Sequence, residues 1–145
     1  EMLRSLVGSE MCIRDSYIDY FEMRLAQLQV LHNLHYEIKK IRKMPKQALV
    51  IADYIMYMAD YVVEMNIPDQ QIEKLEEISE QMKQEELPKT REEFEGRALL
   101  YHILMDLEEF LVYKKRFVNG LDEKKLRIYW KQEMEQKDSA NELQK

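Results

Sequence analysis

Apolar residues recur every three or four positions along most of the chain after residue 16. In a helix this spacing gathers side chains on one face, so it predicts amphipathic helices. Glycine and proline interrupt residues 17–145 at only five places, which are Gly96, Gly120, Pro45, Pro68 and Pro88. Such scarcity favours long helices joined by short turns. We therefore predict an all-α fold, an antiparallel bundle of four to five helices.

The first three helices follow from their apolar positions. The first runs from about Tyr17 to Lys43, and the stripe that we expect to face the core comprises Phe21, Leu25, Leu28, Leu31, His35 and Ile38. After a turn at Pro45, the second helix has an expected buried side of Ala48, Ala52, Ile55, Ala59 and Val62. The third begins near Asp69 and carries Ile72, Leu75, Ile78 and Met82.

The fourth helix has the clearest start signal in the chain. Thr90 and Glu93 have the spacing of a capping box, in which the Thr90 hydroxyl accepts from the Glu93 amide and the Glu93 carboxylate reaches back to the Thr90 amide. The helix is predicted to end near Asn119, with a wide core-facing stripe of Phe94, Ala98, Leu100, Tyr101, Leu104, Met105, Leu107 and Leu111. A fifth segment from about Leu121 carries Leu126, Tyr129, Trp130 and Met134.

Residues 1–16 look foreign to the rest of the chain. The run from Leu6 to Asp15 resembles the translation of a transposon-type sequencing adapter, and the chain opens on Glu1, so we expect a fragment with an artefactual start. Cys12, the only cysteine, falls in this segment and is set aside with it. We expect one helical domain over residues 17–136 and a frayed or disordered polar tail over 137–145.

The charge balance excludes one class of partner. The chain carries a net charge of −6, and without Glu1, Glu10, Asp15, Arg4 and Arg14 the remainder carries −5. A mildly acidic domain is a poor candidate for nucleic-acid binding, which needs a phosphate-neutralising surface. No uncharged apolar run is long enough to span a bilayer, so we expect the fragment itself to be soluble.

The histidines and carboxylates give weak signals for chemistry. His32 and His35 are three apart on a helix, but the Glu-x-x-His spacing of helical metal sites is missing, so we predict no metal and no cofactor. His102 and Asp106 are four apart and could form an imidazolium–carboxylate contact within a polar stripe. General acid–base catalysis would need a pocket and a third group, so we favour a solvated face and predict no catalytic residues.

Two groups of cations are candidate contacts. Basic residues at the end of the first helix, which complement its dipole or could approach anionic lipid head groups, are Lys39, Lys40, Arg42, Lys43 and Lys46. Arg24 and Arg97 each lie inside an otherwise apolar helical segment. Each arginine could pair with a carboxylate, Glu93 being in reach of Arg97, or could hold the carboxylate of a ligand.

Two segments carry a family resemblance. The run Pro88-Lys-Thr-Arg-Glu-Glu-Phe-Glu-Gly-Arg-Ala98 and the run Leu100-Tyr-His-Ile-Leu-Met-Asp-Leu-Glu-Glu-Phe-Leu111 resemble the C-terminal domain of the family named Putative aromatic acid exporter, found in Gram-positive bacteria. The segment Arg24–Leu31 also fits that domain's first helix, so the resemblance covers about residues 17–120. It implies a cytoplasmic helical domain attached behind transmembrane helices, and it supplies no catalytic residues.

These observations favour one function and leave two others open. We expect a non-enzymatic, cytoplasmic accessory or regulatory domain of an exporter-like membrane protein, acting by docking against its own transmembrane part, by self-association or by sensing substrate. The first alternative is a stand-alone helical protein-interaction module. The second is a small all-α protein that binds aromatic carboxylates, with Arg24 and Arg97 as its clamp.

Overall fold

The computed structural model describes residues 2–62 and 66–121, and within them it contains helices and no strand. The helices are α1 (Met2–Lys40), α2 (Ala48–Tyr61), α3 (Asp69–Gln84) and α4 (Arg91–Asn119). The predicted all-α class is therefore confirmed. The first helix begins earlier than predicted, because the helical conformation continues back through residues 2–16. It also ends three residues earlier, at Lys40 instead of Lys43. The predicted fifth segment lies outside the described residues.

The chain divides into two compact units. Among the described residues, unit 1 contains residues 2–24 and 116–121, and unit 2 contains residues 25–62 and 66–115. In unit 1, the ring of Tyr20 meets the edge of the Phe117 ring at a centroid distance of 5.9 Å. Met23, Val118 and Leu121 are buried in the same unit. The predicted contacts for a ligand or a partner lie mainly in unit 2.

Contacts within unit 2 fix the direction of its helices against α4. Gln27 of α1 donates a buried hydrogen bond to the carbonyl of Phe110, near the end of α4. In the connection that follows α1, Pro45 lies close to Gly96, near the start of α4. A Cβ added to the glycine would be 3.1 Å from Pro45 Cγ. The α1 segment of unit 2 therefore runs antiparallel to α4. By the same test α3 is antiparallel to α4, since Lys115 pairs with Asp69 at 2.7 Å and Arg97 reaches the end of α3.

The second helix completes the bundle. Tyr54 in α2 donates a hydrogen bond of 2.6 Å to the carbonyl of Gln71, in the first turn of α3. Gln47, just before α2, donates to the Glu85 carboxylate just after α3. Unit 2 is thus an up-down-up-down arrangement of four helices. Its core comprises Val30, Leu34, Ala48, Ile51, Tyr54, Met58, Leu75, Ile78, Met82, Leu100, Ile103, Leu104, Leu107, Phe110 and Leu111.

The buried face of α3 agrees with the prediction, whereas that of α1 does not. In α3, Leu75, Ile78 and Met82 are buried and Ile72 is half-buried. In α1 the predicted core stripe is exposed along its whole length, and the residues described as buried are Ser16, Met23, Gln27, Val30 and Leu34. Because α1 has apolar residues on two opposite sides, its periodicity could not decide which side the bundle covers.

The same ambiguity affects α2 and α4. The buried residues of α2 are Ala48, Ile51, Tyr54 and Met58, so of the predicted set only Ala48 is buried. Ala52 and Ala59 are exposed, because the larger residues on the neighbouring side fill the core better. In α4 the leucines of the stripe are buried, whereas Phe94 and Met105 are exposed.

Candidate functional site

A half-open groove lies at one end of unit 2, where the connection between α1 and α2 meets the connection between α3 and α4. Its volume is about 550 Å³. We call this the groove end. Residues from both connections and from the first two turns of α4 line it: Lys43, Met44, Pro45, Lys46, Gln47, Glu85, Glu86, Leu87, Pro88, Lys89, Glu92, Glu93 and Arg97.

Arg97 is the most enclosed charged side chain of the groove, with 18% of its side chain exposed. Its Nη1 donates to the carbonyl oxygen of Glu86 at 2.7 Å, and its Nη2 lies 3.5 Å from the Glu85 carboxylate. Arg97 thus pairs with a carboxylate, which is that of Glu85 and not that of Glu93. The side chain points back to the α3–α4 connection, where Glu85 also accepts from Gln47. Arg97 thus ties the two connections together through a single carboxylate.

The predicted cap at the start of α4 stands on the rim of this groove. Thr90 Oγ1 accepts a hydrogen bond of 3.1 Å from the Glu93 amide. The Glu93 carboxylate accepts at 2.8 Å from the amide of Lys89, one residue earlier than expected. Hydrogen bonding to the Lys89 amide, supported by the Thr90 amide, lowers the pKa of Glu93 below its ordinary value. The carboxylate therefore stays ionised at the positive end of the helix dipole.

Charge in the groove is balanced rather than one-sided. Four cations line it, namely Lys43, Lys46, Lys89 and Arg97. Four carboxylates line it as well, namely Glu85, Glu86, Glu92 and Glu93. Arg97 and Lys89 already pair with Glu85 and Glu86, so an anion that bound either cation would compete with a carboxylate. The arrangement can hold a small polar molecule, but it offers no activated nucleophile.

Arg24, the second arginine singled out by the sequence, belongs to unit 1. Its Nε donates to the Tyr20 hydroxyl at 2.9 Å, and its guanidinium carbon lies 5.2 Å from the centre of the same ring. A cation over an aromatic face contributes to local stability. Arg24 and Arg97 therefore each have partners inside their own unit.

His102 and Asp106 lie one turn apart on α4, and the structure records no hydrogen bond between them. His102 is exposed and Asp106 is half-buried. Burial raises the pKa of Asp106, the nearby carboxylates of Glu109 and Glu37 raise it further, and His102 opposes them. Asp106 is thus one of three neighbouring carboxylates that repel one another. Asp106 and His102 do not form a hydrogen-bonded acid–base pair.

The remaining candidates are surface residues. Lys39, Lys40, Arg42 and Lys43 are all exposed, and Lys40 pairs with Glu37 at 2.7 Å. His32 and His35 are exposed, and the His32 ring contacts Tyr36 at a centroid distance of 4.8 Å. Over residues 2–62 and 66–121, no group of three or more His, Cys, Asp or Glu side chains could hold a metal ion.

Two features escaped the sequence reasoning. The first is the pair of buried glutamines, Gln27 and Gln71, whose amides satisfy backbone and side-chain groups between helices. The second is an exposed apolar face on α1, which the helical spacing predicts to be core. A signal for it was available, because residues 25–38 contain a single charged residue, Glu37, in a chain that is 34% charged.

Among the described residues, no helix combines the length and the apolar character needed to cross a membrane. No solved structure matches the chain. The chain is 32% identical to the protein YqjA of Bacillus subtilis (strain 168) over 98 residues, which are 68% of this chain and 30% of YqjA. The chain therefore matches less than a third of the length of that relative.

The family comparison covers both connections at the groove end and the whole of unit 2. The family model described as "Putative aromatic acid exporter C-terminal domain" matches residues 10–115. This range is well over half of the chain and contains both segments that carried the resemblance. The chain belongs to the family of Putative aromatic acid exporter C-terminal domains.

Proposed function

We propose that the chain is a non-enzymatic accessory domain of an exporter-like membrane protein, lying on the cytoplasmic face of the bacterial plasma membrane. Its membership of the exporter C-terminal domain family over residues 10–115 carries this proposal. The domain regulates or supports the membrane part and does not itself move the substrate. As a fragment on its own it is soluble.

The distribution of apolar surface supports this role. Soluble monomers rarely expose large contiguous apolar patches, and such patches usually mark interaction surfaces. Unit 2 exposes leucines on α1, Leu49 and Met56 on α2, and Phe94 and Met105 on α4. A domain that works by contact with other protein surfaces would keep such residues, whereas an isolated enzyme would gain nothing from them.

The decisive experiment uses the complete reading frame of the source gene. Its protein would be produced in a bacterial host lacking related exporters, with and without the domain, and efflux of a labelled aromatic acid would be measured. We expect the truncated protein to reach the membrane but to transport at an altered rate. A reporter fused after Lys145 should be active only if that end lies in the cytoplasm.

Unchanged efflux after truncation would contradict an accessory role. A reading frame without hydrophobic segments upstream of Tyr17 would instead support the stand-alone interaction module. Both outcomes are read from the same gene, so the test separates the two functions.

The groove around Arg97 favours a second candidate function, the binding of an aromatic carboxylate. A cavity of about 550 Å³ is within the range of small-molecule sites, and its mixed walls offer prolines and Leu87 beside Arg97. Titration calorimetry with benzoate or a hydroxybenzoate tests it. Arg97→Gln should abolish the heat, whereas Arg91→Gln, which changes an arginine that is 90% exposed, should not. Equal binding by both variants would remove this candidate.

A further inference from the structure

The exposed apolar face of α1 in unit 2 is the feature that the fold leaves unexplained. We call it the outer face and define it by Leu25, Leu28, Leu31, His35 and Ile38. Leu25 is 66% exposed and Leu28 is 61% exposed, although both have helical spacing suited to a core. The opposite side of the same segment, with Val30 and Leu34, packs into the bundle. A helix that is apolar on two sides usually has a partner on each.

We propose that the outer face of α1 is a self-association surface, and that its occupant is the outer face of a second copy of this chain. This proposal rests on the proposed function in one respect, namely that the domain works by contact with other protein surfaces. The pairing is antiparallel and isologous, with the two-fold axis passing beside Leu28.

The first support is the symmetry of the apolar positions. In an isologous antiparallel pair, a residue a given number of positions before the axis meets the residue equally far after it on the other copy. Leu25 lies three positions before Leu28, and Leu31 lies three positions after it. Leu28 thus faces its own counterpart, and Leu25 faces Leu31.

The second support is the near absence of charge. A surface that meets itself brings every charge close to the same charge on the other copy, and like charges repel. Glu37 is the one charged residue between positions 25 and 38, and it is half-buried and paired with Lys40 at 2.7 Å. The outer face can therefore meet itself without repulsion.

The same absence of charge argues against a lipid surface. Helices that lie on anionic membranes carry lysines and arginines along the polar sides of their apolar face. Between Leu25 and Ile38, α1 carries no lysine or arginine. The nearest cations are Arg24 and Lys39, one at each end of the outer face, and Lys40 is already paired. An apolar protein surface is therefore a better partner for the outer face than a bilayer is. The outer face of a second copy is such a surface, because it has the same residues.

Sedimentation of the whole 145-residue chain over a range of concentrations tests the proposal. We expect a reversible equilibrium between one and two chains. Leu28→Asp should raise the dissociation constant at least about tenfold, since it places two carboxylates at the centre of the interface. Leu49→Asp is the matched control, because Leu49 is 69% exposed but lies on α2. Circular dichroism should show equal helix content in both variants.

Cysteine cross-linking tests the register. In a Cys12→Ser background, Leu28→Cys should form a disulfide-linked dimer on oxidation. Leu25→Cys alone should not, because its two copies would lie about 9 Å apart along the axis at 1.5 Å per residue. Combining Leu25→Cys with Leu31→Cys should restore the cross-link. The exposed Asn33, away from the outer face, serves as a negative control as Asn33→Cys.

Three results would overturn the proposal. They are a wild-type chain that stays monomeric at all concentrations, a Leu28→Asp variant that sediments like the wild type, and a monomeric chain that floats with phosphatidylglycerol vesicles through Leu28. None of these depends on efflux. If truncation alters efflux while the chain stays monomeric, only the self-association falls, and the accessory role stands.

Discussion

The two ends of unit 2 are closed by different chemistry. At the end where α2 meets α3, the hydrogen bonds are neutral and range from buried to exposed, and the ion pair Lys115–Asp69 joins α4 to α3. Tyr54 donates to the Gln71 carbonyl, and the Gln71 amide donates to the Tyr57 hydroxyl at 3.4 Å. Asn66 donates to the Tyr61 carbonyl at 2.9 Å. At the groove end, by contrast, Arg97, Glu85 and their neighbours are charged and partly open to water.

This difference separates stability from adaptability. Buried, satisfied hydrogen bonds are costly to break because their groups would be left without partners. Exposed ion pairs contribute little and exchange partners easily, since water competes for both members. The α2–α3 end is therefore expected to hold the bundle together, and the groove end is free to admit a ligand or a partner. Five substitutions follow, in order of decreasing expected effect on stability.

Tyr54→Ala should cause the largest loss. The side chain is almost fully buried in the core and its hydroxyl bonds across to α3. Removing a buried aromatic ring typically costs about 3–5 kcal/mol. Urea denaturation followed by circular dichroism measures the loss. Tyr54→Phe, which keeps the ring, should cost only about 1 kcal/mol, and equal losses for the two variants would contradict the packing role of the ring.

Arg97→Ala should cost clearly less, about 1 kcal/mol of unfolding free energy, because its bonds lie at a hydrated rim. The change leaves the Glu86 carbonyl and the Glu85 carboxylate to water. Thermal denaturation of Arg97→Ala and of Tyr54→Ala compares the loss of unfolding free energy at the two ends of unit 2. A loss as large as that of Tyr54→Ala would show that the groove end is as rigid as the other.

Thr90→Ala should cost about 1 kcal/mol or somewhat less, as losses of helix caps do. It removes the acceptor of the Glu93 amide and leaves the Lys89 amide bonded to the Glu93 carboxylate. Thr90→Ser keeps a hydroxyl and should be nearly neutral. Hydrogen exchange of the amides in the first turn of α4 reports the change locally. If Thr90→Ala and Thr90→Ser protect these amides as well as the wild type does, the capping role is contradicted.

The Glu93 carboxylate gives the cap a pH dependence. Its pKa is lowered on folding, so the unfolded chain binds its proton more readily. The stability it supplies is complete above its ordinary value of 4.5 and is lost as the pH falls through the lowered pKa. Glu93→Gln should therefore destabilise the protein at pH 7 and make little difference in strong acid.

Asp106→Asn should have the smallest effect and the opposite sign. The pKa of Asp106 is raised on folding, so the folded chain binds its proton more readily. Its penalty is absent below the ordinary value of 3.8 and appears as the pH rises through the raised pKa. The variant should gain a few tenths of a kcal/mol at pH 7 and nothing at pH 3. A loss at pH 7 would contradict repulsion among the carboxylates of Asp106, Glu109 and Glu37.

The helices differ in how far their packing could be predicted. In α3 polar or charged residues fill every position outside one stripe, so Leu75, Ile78 and Met82 could only face inward. In α1 Leu28 lies in one apolar stripe and Val30 in another. Both stripes have helical spacing, so the spacing does not show which of them faces the core. The partner of Arg97 was equally hidden, because Glu85 lies twelve positions away and reaches it only through the turn between α3 and α4.

The sequence by itself determined the helical class, the cap at Thr90, the inward face of α3 and the family. These depend on local spacing, on hydrogen bonds between near neighbours or on matching residues, all of which are present in the linear chain. Only the tertiary structure decided which side of α1 and α2 is buried and which carboxylate holds Arg97. Those choices depend on how side-chain volumes fit between helices, and no single helix contains that information.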